Sequence, residues 1–318
     1  MVTAVSEPGA VAPSRGRLRV AWQLITATLV KAWNDRVLGL AAEAGFWQLL
    51  SLPSLLLAVL GFIGYFSGAL GPDTLHSLEN AILRGAKHVI VPSSVDSTIK
   101  PALHRILVGG RADVVSISFI VSLWTGSSAM ATYVNTITIA YGLRAHRNAV
   151  RSRLLALLLY FGFVAVGVVL LPLLVLGPSL VVKLFPDRWQ HLVHTLTVIG
   201  YWPVVAIIGM ALLTTLYHLA VPVRLPWRRA VPGAMFALVV WLAGSTLLRE
   251  WLAWAFRSTA TYGPLSAPVA VLVFLYLTAL AILLGAELNA EIDRLWPSRA
   301  TAEARRSEEA AARAGAAT

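Results

Sequence analysis

The sequence predicts an all-α fold, a polytopic membrane bundle of six transmembrane helices preceded by an amphipathic interfacial helix. Three observations carry this. Six long apolar stretches run over Leu40–Phe66, Asp113–Tyr141, Leu154–Leu176, Leu196–Leu219, Val231–Ala253 and Pro264–Leu288; about 20 apolar residues at ~1.5 Å rise cross a hydrocarbon core of about 30 Å. Of the 318 residues, 58% are hydrophobic and 13% charged, against about 25% charged in a soluble domain. Most of the chain must therefore face lipid or other helices. Finally, 17 of the 26 Lys and Arg residues fall before the first stretch, in the second-to-third and fourth-to-fifth connections, and after the last. By the positive-inside rule this places both termini in the cytoplasm.

Residues 1–16 are small and Pro-containing, lack the apolar run of a signal peptide, and are expected to be disordered and retained. From Leu18 onward, Leu18, Trp22, Ile25, Leu29 and Trp33 recur at helical spacing. That stripe fits a helix lying in the cytoplasmic interface, or one packed on the cytoplasmic ends of the bundle. Residues 17–297 form the membrane domain. In the first span Pro53 deletes a backbone hydrogen bond, and the freed carbonyl needs a partner such as Ser51 or a neighbouring helix. Residues 68–112 are the one long outer connection, able to form a cap, with His76, His88 and His104; His191 and His194 sit in another outer loop. Exposed histidines explain these better than a metal site, since no carboxylate ligand pattern accompanies them. Pro203 interrupts the fourth span as Pro53 does the first, a faint three-plus-three echo of the inverted repeats found in transporters. Trp189, Trp202, Trp227, Trp251, Trp254 and Trp296 fall near span ends as an aromatic belt. The last span continues as a helix to Pro297, with Glu291 and Arg294 spaced to pair. Residues 298–318 are expected to be a disordered cytoplasmic tail.

The net charge of +11 is accounted for by topology, because the basic residues are shared among loops rather than gathered with stacking aromatics; nucleic acid is not an expected partner. With no cysteine, disulfides and thiolate chemistry are excluded. No Gly-x-Ser-x-Gly, Walker loop or His-Glu-x-x-His is present. The chain is not expected to be an enzyme, and no cofactor or metal is expected.

Several stretches together resemble the YihY/BrkB family of bacterial inner-membrane proteins, once mislabelled ribonuclease BN. They are Leu40-Ala41-Ala42-Glu43-Ala44-Gly45-Phe46 into Leu50-Ser51-Leu52-Pro53; Val134-Asn135-Thr136 through Tyr141-Gly142 into the Arg144–Arg153 cluster; Leu216-Tyr217-His218, Pro222 and Pro226-Trp227-Arg228-Arg229-Ala230 with Gly233-Ala234; and Tyr262-Gly263 with Leu283-Leu284-Gly285-Ala286-Glu287-Leu288-Asn289. Tyr262, Gly263, Gly285, Glu287 and Asn289 are its most specific part. The resemblance covers about residues 35–295. It implies a six-span inner-membrane bundle and delivers no established activity.

Function must be read from polar residues inside the apolar stretches, where a charge at the bilayer centre costs at least about 2.5–3.5 kcal/mol. Glu287 and Glu43 lie near the cytoplasmic ends of the sixth and first spans. Glu287 either pairs with an arginine and locks the bundle, or belongs to a cytoplasm-facing pocket in which Arg144, Arg147, Arg228 and Arg229 bind an anionic head group. Asn135, Ser127 and Ser128 line that interior or, with Gly126, pack helices together. The expectation is a transporter or flippase-like handler of a lipid or amphiphilic anion, with anionic membrane lipids as partners and the helix kinks at Ser51, Pro53 and Pro203 gating it. The alternatives are a structural or scaffolding envelope protein, with homo-oligomer or envelope-protein partners, and a membrane-bound hydrolase or ribonuclease.

Overall fold

The computed structural model describes residues 17–65, 83, 100–101, 112–143, 148–176, 187–257 and 266–316. Among them every element is helical. In chain order these are α1 (Arg17–Asn34), α2 (Val37–Tyr65), α3 (Ala112–Ala140), α4 (Ala149–Leu176), α5 (Asp187–Ala220), a 3-10 turn (Trp227–Ala230), α6 (Val231–Arg257), α7 (Ser266–Leu295) and α8 (Arg299–Ala316). Helices α2 to α7 are each long and apolar enough to cross a membrane, the α7 stretch most of all with a mean hydropathy of 2.6. The chain is a multi-pass membrane protein, as its hydropathy predicts. The expectations for residues 1–16, for most of the outer connection 68–112, and for His76, His88 and His104 lie outside the described residues.

Two helices form the centre. Helix α3 packs most extensively on α2 and also carries α4, while α7 lies against α2, α6 and α1. Helix α3 is rich in hydroxyls yet is the most buried of the six. It manages this by returning its side-chain hydroxyls to its own backbone: Thr125 to Val121 O, Ser128 to Trp124 O, Thr136 to Thr132 O and Thr138 to Val134 O, at 2.7–2.8 Å. Small side chains then allow close helix approach, which is how membrane helices associate without a hydrophobic drive between them. A Cβ on Gly126 would overlap the Tyr160 ring of α4. Ser127 and Ser128 are accordingly buried in packing.

The helix ends explain how both terminal helices reach one end of the bundle. Helix α3 stops in a Schellman motif. Leu143 N–H reaches Thr138 O at 3.0 Å, Gly142 N–H reaches Ile139 O at 2.9 Å, and Gly142 takes φ 69, a left-handed value for which glycine has no steric cost. Between α1 and α2 the corresponding position is Arg36, at φ 58. Its N–H bonds Trp33 O at 3.1 Å, and its cation sits where the helix dipole favours one. This corner folds α1 back against α7.

Helix α1 packs on the bundle, the second of the two expectations for it. Thr28 and Ala32 are buried against the bundle, whereas Trp22 (68%) and Trp33 (73%), with Leu29, stay exposed. The apolar stripe thus points outward, and the face turned to the bundle is narrow, with Thr28 and Ala32 buried and Lys31 half-buried, while Arg19, Gln23 and Asn34 are exposed. Three expectations need correction. Residues 298–318, read as a disordered tail, form α8 over Arg299–Ala316; Ser298 caps it, accepting the Thr301 N–H at 3.1 Å. Ser51 donates to Gln48 O at 2.9 Å, three residues back, and not to the Leu49 carbonyl that Pro53 frees. His191 and His194 lie in the first turns of α5, not in a loop. Helices α2 and α5 each continue through their proline, Pro53 and Pro203, as one element, as a kink rather than a break would have it.

Candidate functional site

The charged residues of α7 cluster in its last turns, and Lys31 of α1 is the hub they face. Its ammonium donates to Glu287 Oε2 at 2.7 Å, to Asp35 Oδ2 at 3.0 Å and to Ala140 O at 2.6 Å. All three ammonium donors are therefore engaged, by α7, by the turn that follows α1 and by the C-terminal carbonyl of α3. Glu287 is wholly buried (0%) while Lys31 is 23% exposed. The pair is thus reached by water only from the α1 side. Asp35, one helical turn beyond Lys31, holds the ammonium from that side.

Beside this hub lies an open groove of about 560 Å³ between α1 and α7, lined among others by Gln23, Thr26, Asn34, Asp35, Glu291 and Arg294. Glu291, one turn beyond Glu287, is 5% exposed; Arg294 Nη1 lies 3.6 Å from its Oε1, past hydrogen-bond reach. Among the described residues, Oε1 of Glu287 and Oε1 of Glu291 have no hydrogen-bond donor.

A second node forms around Asp293. Its carboxylate accepts Arg305 Nη2 at 3.1 Å, Thr301 Oγ1 at 3.1 Å, the Ser298 N–H at 3.3 Å and Arg229 Nη1 at 3.4 Å. Arg305 Nε also reaches Tyr141 O at 3.1 Å. Burial, with the negative charge of Asp293 adding to it, pushes the Tyr141 hydroxyl above its ordinary pKa. Between the two nodes α6 and α7 touch through backbone. A Cβ on Gly233 would overlap Gly285 O and the Asn289 carboxamide. Asn289 accepts the Gly233 N–H at 2.8 Å and donates to Ala230 O at 3.0 Å, satisfying a first-turn donor of α6 that has no helical partner. Tyr217 of α5 donates to Ile282 O at 2.7 Å.

These contacts sort the residues expected from sequence. Gly285, Glu287 and Asn289 lie together on α7, where Gly285 and Asn289 hold α6 and Glu287 holds α1. Glu287 pairs with Lys31 and not with an arginine, because the α1–α2 corner brings Lys31 over it. Arg229 is engaged by Asp293 and Trp296 O. Arg228, its neighbour on the 3-10 turn, is exposed. Asn135 is also exposed and accepts Ser152 Oγ at 3.2 Å, so it does not line the interior. Glu43 accepts Thr132 Oγ1 at 3.0 Å. Arg144, Arg147, Tyr262 and Gly263 lie outside the described residues. Sequence reasoning missed Lys31, Asp35, Asp293 and Arg305 as site residues. The signal available was the run of acids Glu287, Glu291 and Asp293 in the last turns of an otherwise apolar span.

Comparison with known proteins agrees with the resemblance. The profile of the family described as "Virulence factor BrkB" matches residues 28–311. A curated relative is the ribonuclease-like protein YfkH of Bacillus subtilis (strain 168), 26% identical over 259 residues, covering 79% of this chain and 88% of that protein. No solved structure matches.

Proposed function

The chain belongs to the virulence factor BrkB family, and we propose that it handles a membrane lipid or similar amphiphile, as a transporter or flippase-like protein of the cytoplasmic membrane with both termini cytoplasmic. One observation carries this reading. A charged groove between α1 and α7 adjoins the outward apolar stripe of α1, and the helix bounding it is held by one buried ion pair, Lys31–Glu287. A polar head group would sit in the groove and acyl chains along Trp22, Leu29 and Trp33, with α1 as the movable wall. The basic residues at this end support the cytoplasmic placement. An ion gradient or a partner ATPase would supply the energy of any uphill step. The ribonuclease-like name belongs to the Bacillus relative, and this proposal uses no catalytic step.

The test is lipid movement in proteoliposomes carrying a fluorescent phospholipid, read by chemical quenching from outside. Faster loss of the inner-leaflet signal than in protein-free liposomes is expected. Identical rates, with the protein folded and inserted, would overturn the proposal.

A second reading, an envelope scaffold, is favoured by α8. It is fastened through Arg305, Thr301 and Asp293 and presents Arg299, Glu303 and Arg306 outward. Removing residues 298–318 would then abolish recruitment of envelope proteins and leave lipid movement unchanged.

A further inference from the structure

The groove's lining balances its charges, Asp35 and Glu291 against Lys31 and Arg294, with Glu287 buried beside it and paired to Lys31. Glu287 and Glu291 lie four residues apart on α7, one above the other on one face. Each leaves one buried carboxylate oxygen without a donor among the described residues. A buried carboxylate oxygen without a donor is costly, and structures rarely leave one so. Glu291 lines the groove, and its buried Oε1 has Arg294 Nη1 beside it at 3.6 Å, so a ligand reaches that oxygen once Arg294 swings aside. The missing component is a compact donor of several N–H bonds, which is a primary ammonium.

Arg294 completes the argument. It is 71% exposed and approaches Glu291 only at 3.6 Å, so it is loosely held. An ammonium arriving at Glu291 would displace it and leave its planar fork for a phosphate, which guanidinium binds in bidentate fashion. The groove continues through Thr26 and Val30 onto the exposed stripe Trp22, Leu29 and Trp33 of the same helix. A ligand fitting all three features has an ammonium, a phosphate next to it and apolar chains.

We propose that the groove between α1 and α7 binds the head group of a zwitterionic phospholipid bearing a primary amine, of which phosphatidylethanolamine is the simplest. The ammonium sits on Glu291 Oε1 and the phosphate on Arg294. This deepens the lipid-handling reading and rests on it for the acyl part. It replaces the anionic head group expected from sequence, since Arg229 is engaged by Asp293 and the groove's lining pairs two acids with two bases.

The experiment is native mass spectrometry of the full chain released from nanodiscs of equimolar phosphatidylethanolamine, phosphatidylcholine and phosphatidylglycerol. Phosphatidylcholine keeps the phosphate and positive charge but has no N–H. Phosphatidylglycerol has the phosphate and no amine. At least about tenfold more phosphatidylethanolamine than phosphatidylcholine adduct is expected from the wild type, roughly 1.4 kcal/mol. Glu291→Gln should bring the two lipids within about twofold. Equal retention of the two, preference for phosphatidylglycerol, or no adduct at all would overturn the site, as would an unchanged ratio in Glu291→Gln. The lipid comparison uses the wild type alone, so it stands even if the variant misfolds. Failure of this test with lipid movement intact in proteoliposomes would sink the head-group assignment only; failure of movement with selective binding would sink the transport reading only.

Discussion

Replacing Lys31 with Met keeps the aliphatic stem of the side chain and removes the ammonium that α1, α3 and α7 share. Three acceptors lose their donor together: Glu287 Oε2, Asp35 Oδ2 and Ala140 O. Asp35 and the helix-end carbonyl can turn to water. Glu287, at 0% exposure, cannot without moving. Breaking a buried pair from one side costs about 3–5 kcal/mol, because the remaining charge is left uncompensated. Lys31 itself is 23% exposed, which admits some water and puts the expectation near the lower bound, about 3 kcal/mol. Glu287→Gln removes the charge and keeps an acceptor for Lys31, so it should cost only about 1 kcal/mol, the worth of a charge-assisted bond made neutral. The double variant Lys31→Met/Glu287→Gln leaves no buried charge and should be more stable than Lys31→Met alone, with a coupling of about 2 kcal/mol. Equilibrium unfolding in mixed micelles, followed by tryptophan fluorescence, measures all four chains. Lys31→Met within about 0.5 kcal/mol of wild type, the ordinary range for surface changes, would refute the reasoning. So would a double variant whose loss is the sum of the two singles.

Three further outcomes are expected. Gly233→Ala should destabilise by about 1–3 kcal/mol, as overpacking does, since its methyl meets Gly285 O. Gly39→Ala, with nothing within 4 Å of its Cβ, should be neutral or stabilising by up to about 1 kcal/mol through helix propensity; equal effects at the two glycines would count against the α6–α7 contact. Asp293→Asn should loosen α8, read as faster hydrogen exchange over 299–316 and new tryptic cuts at Arg299, Arg305 and Arg306, while unchanged protection would show that the helix is held by something else. Because the chain has no cysteine, Arg19→Cys and Arg313→Cys report topology directly. Both should react with an impermeant maleimide only after cells are permeabilised, and labelling of either one in intact cells would overturn the two-cytoplasmic-termini reading.

The spans were legible because crossing a bilayer is a one-dimensional constraint. Length and hydropathy along the chain are enough to locate α2 to α7, and the loops between them carry the charge bias. The pairings were not legible, because periodicity fixes which face a residue occupies and not what that face meets. Lys31 and Glu287 are 256 residues apart. In the sequence Lys31 counts as one more cytoplasmic charge beside an apolar stripe. Only the Arg36 corner, a left-handed backbone at a non-glycine residue, turns it onto α7. Asn135 fails for the same reason in reverse: a polar residue in an apolar span suggests the interior, yet near a helix end it can sit outward beside Ser152. Helix α8 was missed because its apolar side is built of alanine, Ala304 being its core contact, and not of large side chains. Its other anchors are polar, Thr301 and Arg305, and they gain meaning only once Asp293 is known to be buried beside them. The Trp296-Pro297-Ser298 stop and N-cap were the readable hint.

The two charged nodes are linked through the end of α3. Ala140 O, its last carbonyl, and Tyr141 O, in the turn that follows, are taken by Lys31 of α1 and by Arg305 of α8. Each of those cations is bound in turn to a buried acid of α7, Glu287 or Asp293. The N-terminal and C-terminal helices thus fasten the same pair of central spans at the same end, and helix-end carbonyls with partial negative charge are natural acceptors for both. The fastenings differ in strength of definition. Asp293 has donors from the 3-10 turn, the α7–α8 link and α8, so losing one leaves the others in place. Lys31 alone joins α1 to Glu287, and α1 meets the bundle chiefly through α7. If one terminal helix moves to admit a ligand, the geometry selects α1. The movement would expose Glu287 and Glu291 together and free the Ala140 carbonyl, while α8 and the Asn289–Gly233 contact keep α6, α7 and the α3 end in register.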